Sequence, residues 1–226
     1  GGLKGNGTTF ARSVRVPNDA GLNNLSQFTI EMWIKSPSLS GSVRLFSKGD
    51  VNSFTLDNSP YAVRIRETGK QLIFQVSDGT ITRERISNIA FPTDNTYHHV
   101  VFVFDGSGFQ QELRRMDIYI DGKNVNGNLG GTKDSNCPTP RLTPAPACQI
   151  PAFTKSDINN LFFLGYSGSG SSFNGFIDEV VMHNKALTYS EIYNRYKLNS
   201  GKTYYWFTEF IGNTTTRTAI KNSSIN

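Results

Sequence analysis

An all-β chain, a sandwich or a barrel with one short helix near its end, is the fold class this sequence predicts. Three observations predict it. Apolar and polar side chains alternate along many short runs, the period at which successive residues leave opposite faces of a strand. Glycine pairs punctuate those runs: Thr68-Gly69, Asp78-Gly79, Asp105-Gly106 and Asp121-Gly122 place glycine where a tight turn wants a positive φ. A single helical stripe comes late in the chain, so the helix packs on the β layers instead of organising them.

Taken in order, the first strand-like run is Phe10 to Val16. The clearest follows, where Phe28, Ile30, Met32 and Ile34 alternate with Thr29, Glu31, Trp33 and Lys35 and bury one face. Arg44 to Ser47, Phe54 to Leu56, Tyr61 to Glu67, Gln71 to Val76 and Thr80 to Ile86 come next. His98 to Phe104, Met116 to Ile120, Leu161 to Gly165 and Phe173 to Met182 complete the body. Regular spacing of short strands between Gly turns is what a sandwich or barrel requires. In LTYSEIYNRYKL, Thr188 and Glu191 form a capping box, and Leu187, Ile192, Tyr193 and Tyr196 supply an apolar stripe at helical spacing. Between Asn126 and Asn160 lies a long irregular insertion, and after the helix Thr203 to Ile211 (TYYWFTEFI) is a further strand signal. A polar tail ends the chain, and no internal repeat is visible.

Composition narrows the function classes. At 226 residues the chain is one large domain or two small ones, and it buries enough surface to fold without a metal or a disulfide. Charged residues are 18% of it, below the usual quarter, while Gly (21) and Phe (16) are plentiful, which excludes general disorder and a coiled coil. The longest apolar run, Val100 to Phe104, is far short of the roughly 20 residues of a membrane helix, so no membrane insertion is expected. The polar start GGLKGNGTT carries no signal peptide, as expected if one has been removed or the chain begins inside a longer protein. A net charge of +5, spread along the chain, permits an anionic partner without demanding one. No compact basic stretch interleaves with aromatics, so nucleic acid is not an expected partner.

Cys137 and Cys148 stand in a stretch with prolines at 138, 140, 144 and 146. A zinc site would want closer pairs or nearby histidines, and the chain has only His98, His99 and His183. A disulfide closing a small proline-stiffened loop is therefore expected, with an oxidising, extracellular or cell-surface location; two free thiols on a loop are the alternative. The N-x-S/T sequons at Asn6, Asn24, Asn213 and Asn222 are compatible with secretion.

A set of motifs recurs in a known order: FTIEMWIK at 28–35, LFSKGD at 45–50, YHHVVFVFDG at 97–106 and IYIDGKNV at 118–125, then LFFLGYSG at 161–168 and FNGFIDEVVMHNKALTYSEIYNRY at 173–196. In these the chain resembles a laminin-G-like domain of the concanavalin A-like jelly-roll superfamily, which also includes pentraxins. The resemblance covers roughly residues 8–198, so the whole of 1–226 is expected to be a single such domain, with 199–226 an added strand and tail. It implies a two-sheet antiparallel jelly-roll sandwich that binds ligands on the concave face of its front sheet or on rim loops. The cysteine insertion, the aromatic strand after the helix and Tyr97, where tryptophan is common, depart from the plain pattern. Such domains are grafted onto adhesins, enzymes, receptors and virion proteins, so the fold alone does not set the function.

Three kinds of chemistry can be sought on that frame. Laminarinase-like relatives carry two glutamates and an aspartate alternating along one strand, because hydrolysis needs paired carboxylates on one face. No such run exists, Asp178 and Glu179 being adjacent and so on opposite faces of a strand. No arginine triad with Asp boxes, nucleophile elbow or metal-hydrolase pattern occurs, and His98 and His99 sit in a motif that the family uses structurally. The chain is expected to be non-catalytic. For metal, Asp178 shares its strand face with Phe176, Val180 and Met182 and must be compensated there. Relatives often place a structural calcium at that aspartate, joined by carbonyls from the loop after the second strand, here Ser47-Lys48-Gly49-Asp50, which makes Asp178 and Gly49 the candidate Ca2+ ligands. The alternative is a buried carboxylate satisfied by backbone amides or Arg12. For ligand, Arg64 and Arg66 project from one face of their strand and Arg83 and Arg85 from one face of theirs. In a three-stranded meander the pairs share a surface suited to sulfated or sialylated glycan, with Tyr61, Tyr166 and Phe173 available for sugar stacking. The plainer reading is a solvated face kept soluble by arginines.

The expected function is a non-catalytic extracellular recognition module that binds glycans or glycosylated surfaces in adhesion. One alternative is a structural subunit or spacer of a filament, virion or large adhesin, pairing with neighbouring subunits through residues 203–211. Another is an accessory domain of a glycoside hydrolase.

Overall fold

The computed structural model describes residues 3–6, 14–49, 59–108, 114–130, 149–163 and 173–199. Two antiparallel sheets form a sandwich. The strands are β1 Leu3–Asn6, β2 Val14–Val16, β3 Gln27–Lys35, β4 Val43–Lys48, β5 Tyr61–Ile65, β6 Gln71–Ser77 and β7 Thr82–Ala90. They continue with β8 Tyr97–Asp105, β9 Arg115–Ile120, β10 Lys123–Asn124, β11 Asn126–Gly130, β12 Leu161–Phe163 and β13 Asn174–His183, and the helix is α1 Tyr189–Asn199. One sheet has six strands in the order β1-β13-β3-β8-β9-β10, the other seven in the order β11-β7-β6-β5-β4-β12-β2. This is the architecture that the alternating pattern and the motif order lead one to expect.

The core is where the two inner faces meet. Phe28, Ile30, Met32 and Ile34 of β3 pack with Val100, Phe102 and Phe104 of β8 on one side, and with Phe46, Val63, Leu72, Phe74 and Val76 of the facing sheet. Phe102 sits edge-on to Phe46 at 5.7 Å, a preferred geometry for ring pairs, and tilted to Phe74 at 5.7 Å. Two glycines have different reasons to be glycine. Gly122, at φ +72 beside Asp121 at φ +51, makes the two-residue turn that joins Ile120 to Lys123. Gly106 is needed for closeness instead, since a Cβ there would lie 2.4 Å from the backbone oxygen of Ala152.

The helix begins with the expected capping box: Glu191 Oε2 accepts from Thr188 N at 2.8 Å, and Thr188 Oγ1 accepts from Glu191 N at 3.3 Å. Leu187 and Ile192 then bury against Val101, Val103 and Tyr119, so α1 covers part of the outer face of the six-stranded sheet.

Candidate functional site

The seven-stranded sheet carries a polar outer face, built by alternation and register together. Tyr61, Val63 and Ile65 turn into the core, so Ala62, Arg64 and the following Arg66 turn out. On β6, Leu72, Phe74 and Val76 are core residues, leaving Gln71, Ile73 and Gln75 outside. Register then sets two rows across the sheet. One runs Ser47, Ala62, Gln75, Glu84 and the other Arg44, Arg64, Ile73, Ile86. Arg44 therefore faces Arg64 directly across neighbouring strands, and Glu84 takes the opposite charge: its Oε1 accepts from Arg64 Nη2 at 3.1 Å. Arg66 donates to Gln71 Oε1.

Much of this face is buried, Ser47, Ala62 and Gln75 completely, whereas Arg64 and Glu84 keep 22% and 12% of their side chains in solvent. Polar atoms on or beside it, Ser47 Oγ, Ser59 Oγ, Arg64 Nε and Arg66 Nε among them, are buried with no hydrogen-bond partner among the described residues. A buried group left so costs about 1–3 kcal/mol, and native structures rarely keep several together without a purpose.

Of the expected ligand residues, Arg64 and Arg66 lie on this face and Arg83 and Arg85 do not. Although β5, β6 and β7 form the anticipated meander, Arg85 pairs with Phe74 and Arg83 with Val76, so both arginines point inward with those core residues. Arg85 spans the sandwich, its Nε donating to Met116 O at 2.9 Å and its Nη1 to Gly127 O at 3.1 Å. Burial draws its guanidinium below the ordinary value, opposed by the charge of Asp117. Tyr61 is corrected too: its ring is wholly buried against Phe28 at 4.8 Å, and burial pushes its phenol up. Tyr61 is core and cannot stack on a sugar. Tyr166, the cysteine pair Cys137 and Cys148, and residues 203–211 lie outside the described residues. The residue that sequence reading missed is Arg44, whose place beside Arg64 depends on pairing between strands twenty residues apart.

The expected calcium ligands are not brought together. Asp178 lies on the outer face of the six-stranded sheet, opposite Trp33, because Glu179 at φ +48 forms a bulge that resets the alternation of β13. Val180 and Met182 turn to the core without it. Gly49 follows β4 of the other sheet, its N–H donating to Asn160 O. The oxygens beside it are taken by Lys48, which is fully buried. Its ammonium donates to Asn18 Oδ1 and Asp157 O, each at 2.7 Å, and to Asn159 O. Burial lowers its pKa, and the Asp157 carboxylate works against that. A resident cation with three oxygen acceptors leaves that part of the loop unsuited to calcium. Among the described residues no group of three or more His, Cys, Asp or Glu could hold a metal ion.

A separate polar cluster anchors the helix on the six-stranded sheet. Glu31 accepts from His99 Nε2 at 3.2 Å, from His183 Nε2 at 2.9 Å and from Arg195 Nη1 at 2.8 Å. Tyr196 of α1 stacks over His99 and Trp33 at 6.4 and 6.3 Å. Burial raises the Glu31 carboxyl, but the two histidine hydrogen bonds and the Arg195 charge outweigh it and leave the pKa below the usual value. Nearby Glu179 is pushed up by burial and by Asp178. Glu31 and His99 are almost wholly buried, so the cluster holds α1 and offers no open carboxylate pair for hydrolysis.

Solved structures of low sequence identity share this fold. The CBM40 domain of the Ruminococcus gnavus IT-sialidase, bound to alpha2,3 sialyllactose, superposes with a TM-score of 0.55 at 14% identity, over 86% of this chain and 95% of that one. The botulinum neurotoxin type C structure gives 0.51 at 16% identity over 82% of this chain. The binding domain of Paraclostridial Mosquitocidal Protein 1 gives 0.51 at 16% over 81%. This chain spans only 39% and 40% of those two toxin chains. No curated protein matches it by sequence. A laminin-G-type family model, described as the concanavalin A-like lectin/glucanases superfamily, matches residues 6–143, more than half of the chain. With that match and the two-sheet jelly roll, the chain belongs to the concanavalin A-like lectin/glucanases superfamily.

Proposed function

We propose that this chain is a non-catalytic glycan-binding module that takes an acidic sugar, sialylated or sulfated, on the outer face of its seven-stranded sheet. The observation that carries the reading is the arginine face itself. Arg44, Arg64 and Arg66 stand on it with the carboxylate of Glu84, and the Nε atoms of Arg64 and Arg66 have no acceptor among the described residues. Guanidinium groups grip carboxylate and sulfate through paired N–H donors, and an incoming anion would supply acceptors to Arg64 and Arg66 that the described residues do not. The sialyllactose carried by the IT-sialidase CBM40 and the gangliosides required for cell entry by neurotoxin type C support this reading as properties of proteins of the same fold. Its place is outside the cell, as an adhesive or targeting domain.

Isothermal titration with 3′-sialyllactose, a heparin-derived hexasaccharide and neutral cellohexaose tests it. The acidic probes should bind and the neutral one should not. Arg64→Lys should weaken binding about tenfold or more, because an ammonium keeps the charge but loses the planar fork. Equal binding by Arg64→Lys, or release of reducing ends from any of these sugars, refutes the reading.

A further inference from the structure

The helix α1 turns Tyr189 and Tyr193 away from the core, beside Tyr196, which packs on His99 and Trp33. Tyr189, Tyr193 and Tyr196 follow one another at i, i+4 and i+7, which sets them along one side of the helix. Docking of α1 is already provided by Leu187 and Ile192, and Tyr189 and Tyr193 keep 55% and 39% of their surface in solvent. Their rings stack at 6.0 Å and 23°, and buried Tyr119 of β9 backs Tyr189 from below, its ring 6.4 Å away. The Lys197 ammonium lies 5.5 Å from the Tyr193 ring and 5.9 Å from the Tyr196 ring. From behind, the β9–β10 turn supports the row, since a Cβ on Gly122 would come within 3.1 Å of both the Tyr193 and Tyr196 side chains. The strip is thus held in place before any ligand arrives, which spares the ordering cost of binding.

Phenol rings with exposed faces and hydroxyl edges match a ligand that is itself apolar on its faces and polar on its edges. A sugar ring has that form, with C–H groups on its faces and hydroxyls around it. The surrounding charge selects an acidic one: Lys197 sits over the rings and exposed Lys123 follows the supporting turn, while Glu191 is engaged by Lys185 at 2.5 Å and by Thr188. The geometry points to the tyrosine face of α1 as a second saccharide-binding surface. It would take a carboxylate- or sulfate-bearing sugar by ring stacking and by the positive charge beside the rings. It rests on the reading of the chain as a glycan-binding module, but on a different face. The arginines are outside the seven-stranded sheet and the tyrosines outside the six-stranded one, so two glycan chains could be engaged at once and held by avidity on a surface.

The test titrates four proteins with the heparin-derived hexasaccharide and with 3′-sialyllactose: wild type, Arg64→Lys, Tyr189→Ala/Tyr193→Ala, and the combination. The two tyrosines are exposed and outside the core, so their replacement should leave the unfolding transition unchanged. Two sites per chain are expected in wild type. The tyrosine variant should lose one, weakened at least about tenfold, and keep the other; Arg64→Lys should do the converse. If Arg64→Lys alone abolishes all binding, or the tyrosine variant keeps the wild-type stoichiometry and affinity, the second surface is overturned and the arginine reading stands. If Arg64→Lys binds as wild type while the tyrosine variant binds nothing, the second surface stands and the arginine reading falls. No binding by wild type to either probe overturns both. A wild-type dimer in sedimentation that dissociates in the tyrosine variant also overturns the second surface, assigning the face to a second copy of the chain.

Discussion

Replacing Glu31 by glutamine should be among the most damaging conservative substitutions in this protein. The carboxylate is almost wholly buried and accepts from His99, His183 and Arg195 together. An amide keeps the shape but has one acceptor oxygen, and turns an NH2 group towards at least one of those donors. His99 suffers most: it is buried, its Nδ1 has no partner, and losing the Nε2 bond would strand both ring nitrogens. That loss alone costs about 1–3 kcal/mol. Breaking a fully buried ion pair costs about 3–5 kcal/mol, but the Arg195 side chain is 39% exposed and can recover water, so its share is discounted. About 3 kcal/mol is the resulting expectation, or about 6–12 °C in Tm for a chain of this size. Urea unfolding at pH 7 measures it, with near-ultraviolet circular dichroism reporting the stacked rings under α1. The pH dependence has a definite sign. The folded pKa of Glu31 is depressed below 4.5, so its contribution is present above that value and disappears as pH falls towards and through the folded pKa. The gap between wild type and Glu31→Gln should therefore narrow as pH falls from about 5 through the lowered folded pKa. A difference under about 1 kcal/mol at pH 7, or one that persists unchanged into acid, would refute the role assigned to Glu31.

Other perturbations have equally definite outcomes. His98 bonds Asp121 Oδ2 at 2.7 Å and Asp94 Oδ1 at 3.1 Å. Asp121 chiefly raises its pKa, against the effect of burial. Its contribution is fully present below the ordinary value near 6.5 and is lost as pH rises through the raised one. His98→Gln should remove that slope between about pH 6 and 8, and an unaltered stability profile would exclude the clamp. Gly106→Ala places a Cβ against the rigid backbone at Ala152 and should cost about 1–3 kcal/mol in the same unfolding assay; a neutral result would mean that the contact relaxes freely. Because Lys48 holds the oxygens beside Gly49, EDTA should leave the Tm of wild type unchanged in differential scanning calorimetry. A fall of several degrees, reversed by calcium, would place a calcium site elsewhere in the chain.

Legibility differed from strand to strand, for reasons visible in the residues. In β3 the two faces are chemically unlike, four large apolar side chains against Thr29, Glu31, Trp33 and Lys35, so only one orientation buries the core. In β7 the faces are Thr82, Glu84, Ile86 and Arg83, Arg85, Ser87. Neither is apolar enough to announce itself as inner, and the choice falls to pairing with β6. In β13 one extra residue at Glu179 reverses the alternation midway, which removes Asp178 from the apolar face where simple counting put it. The arginine face was half legible. Arg64 and Arg66 follow from β5 alone, whose inner residues are plain, but Arg44 joins them only through the register of β4 against β5.

The sequence by itself determined the all-β class, the capped helix and most strand positions. Each depends on interactions between residues a few places apart, through a period of two, a turn glycine or a capping box. The tertiary structure alone decided which arginines share a surface, that Tyr61 belongs to the core, that Lys48 holds the oxygens beside Gly49, and that α1 shows Tyr189 and Tyr193 to solvent. Those outcomes rest on register and packing between distant segments. In a strand a shift of one residue moves every side chain to the other face, so a local pattern can fix that a strand exists while leaving its partners to set where its chemistry points.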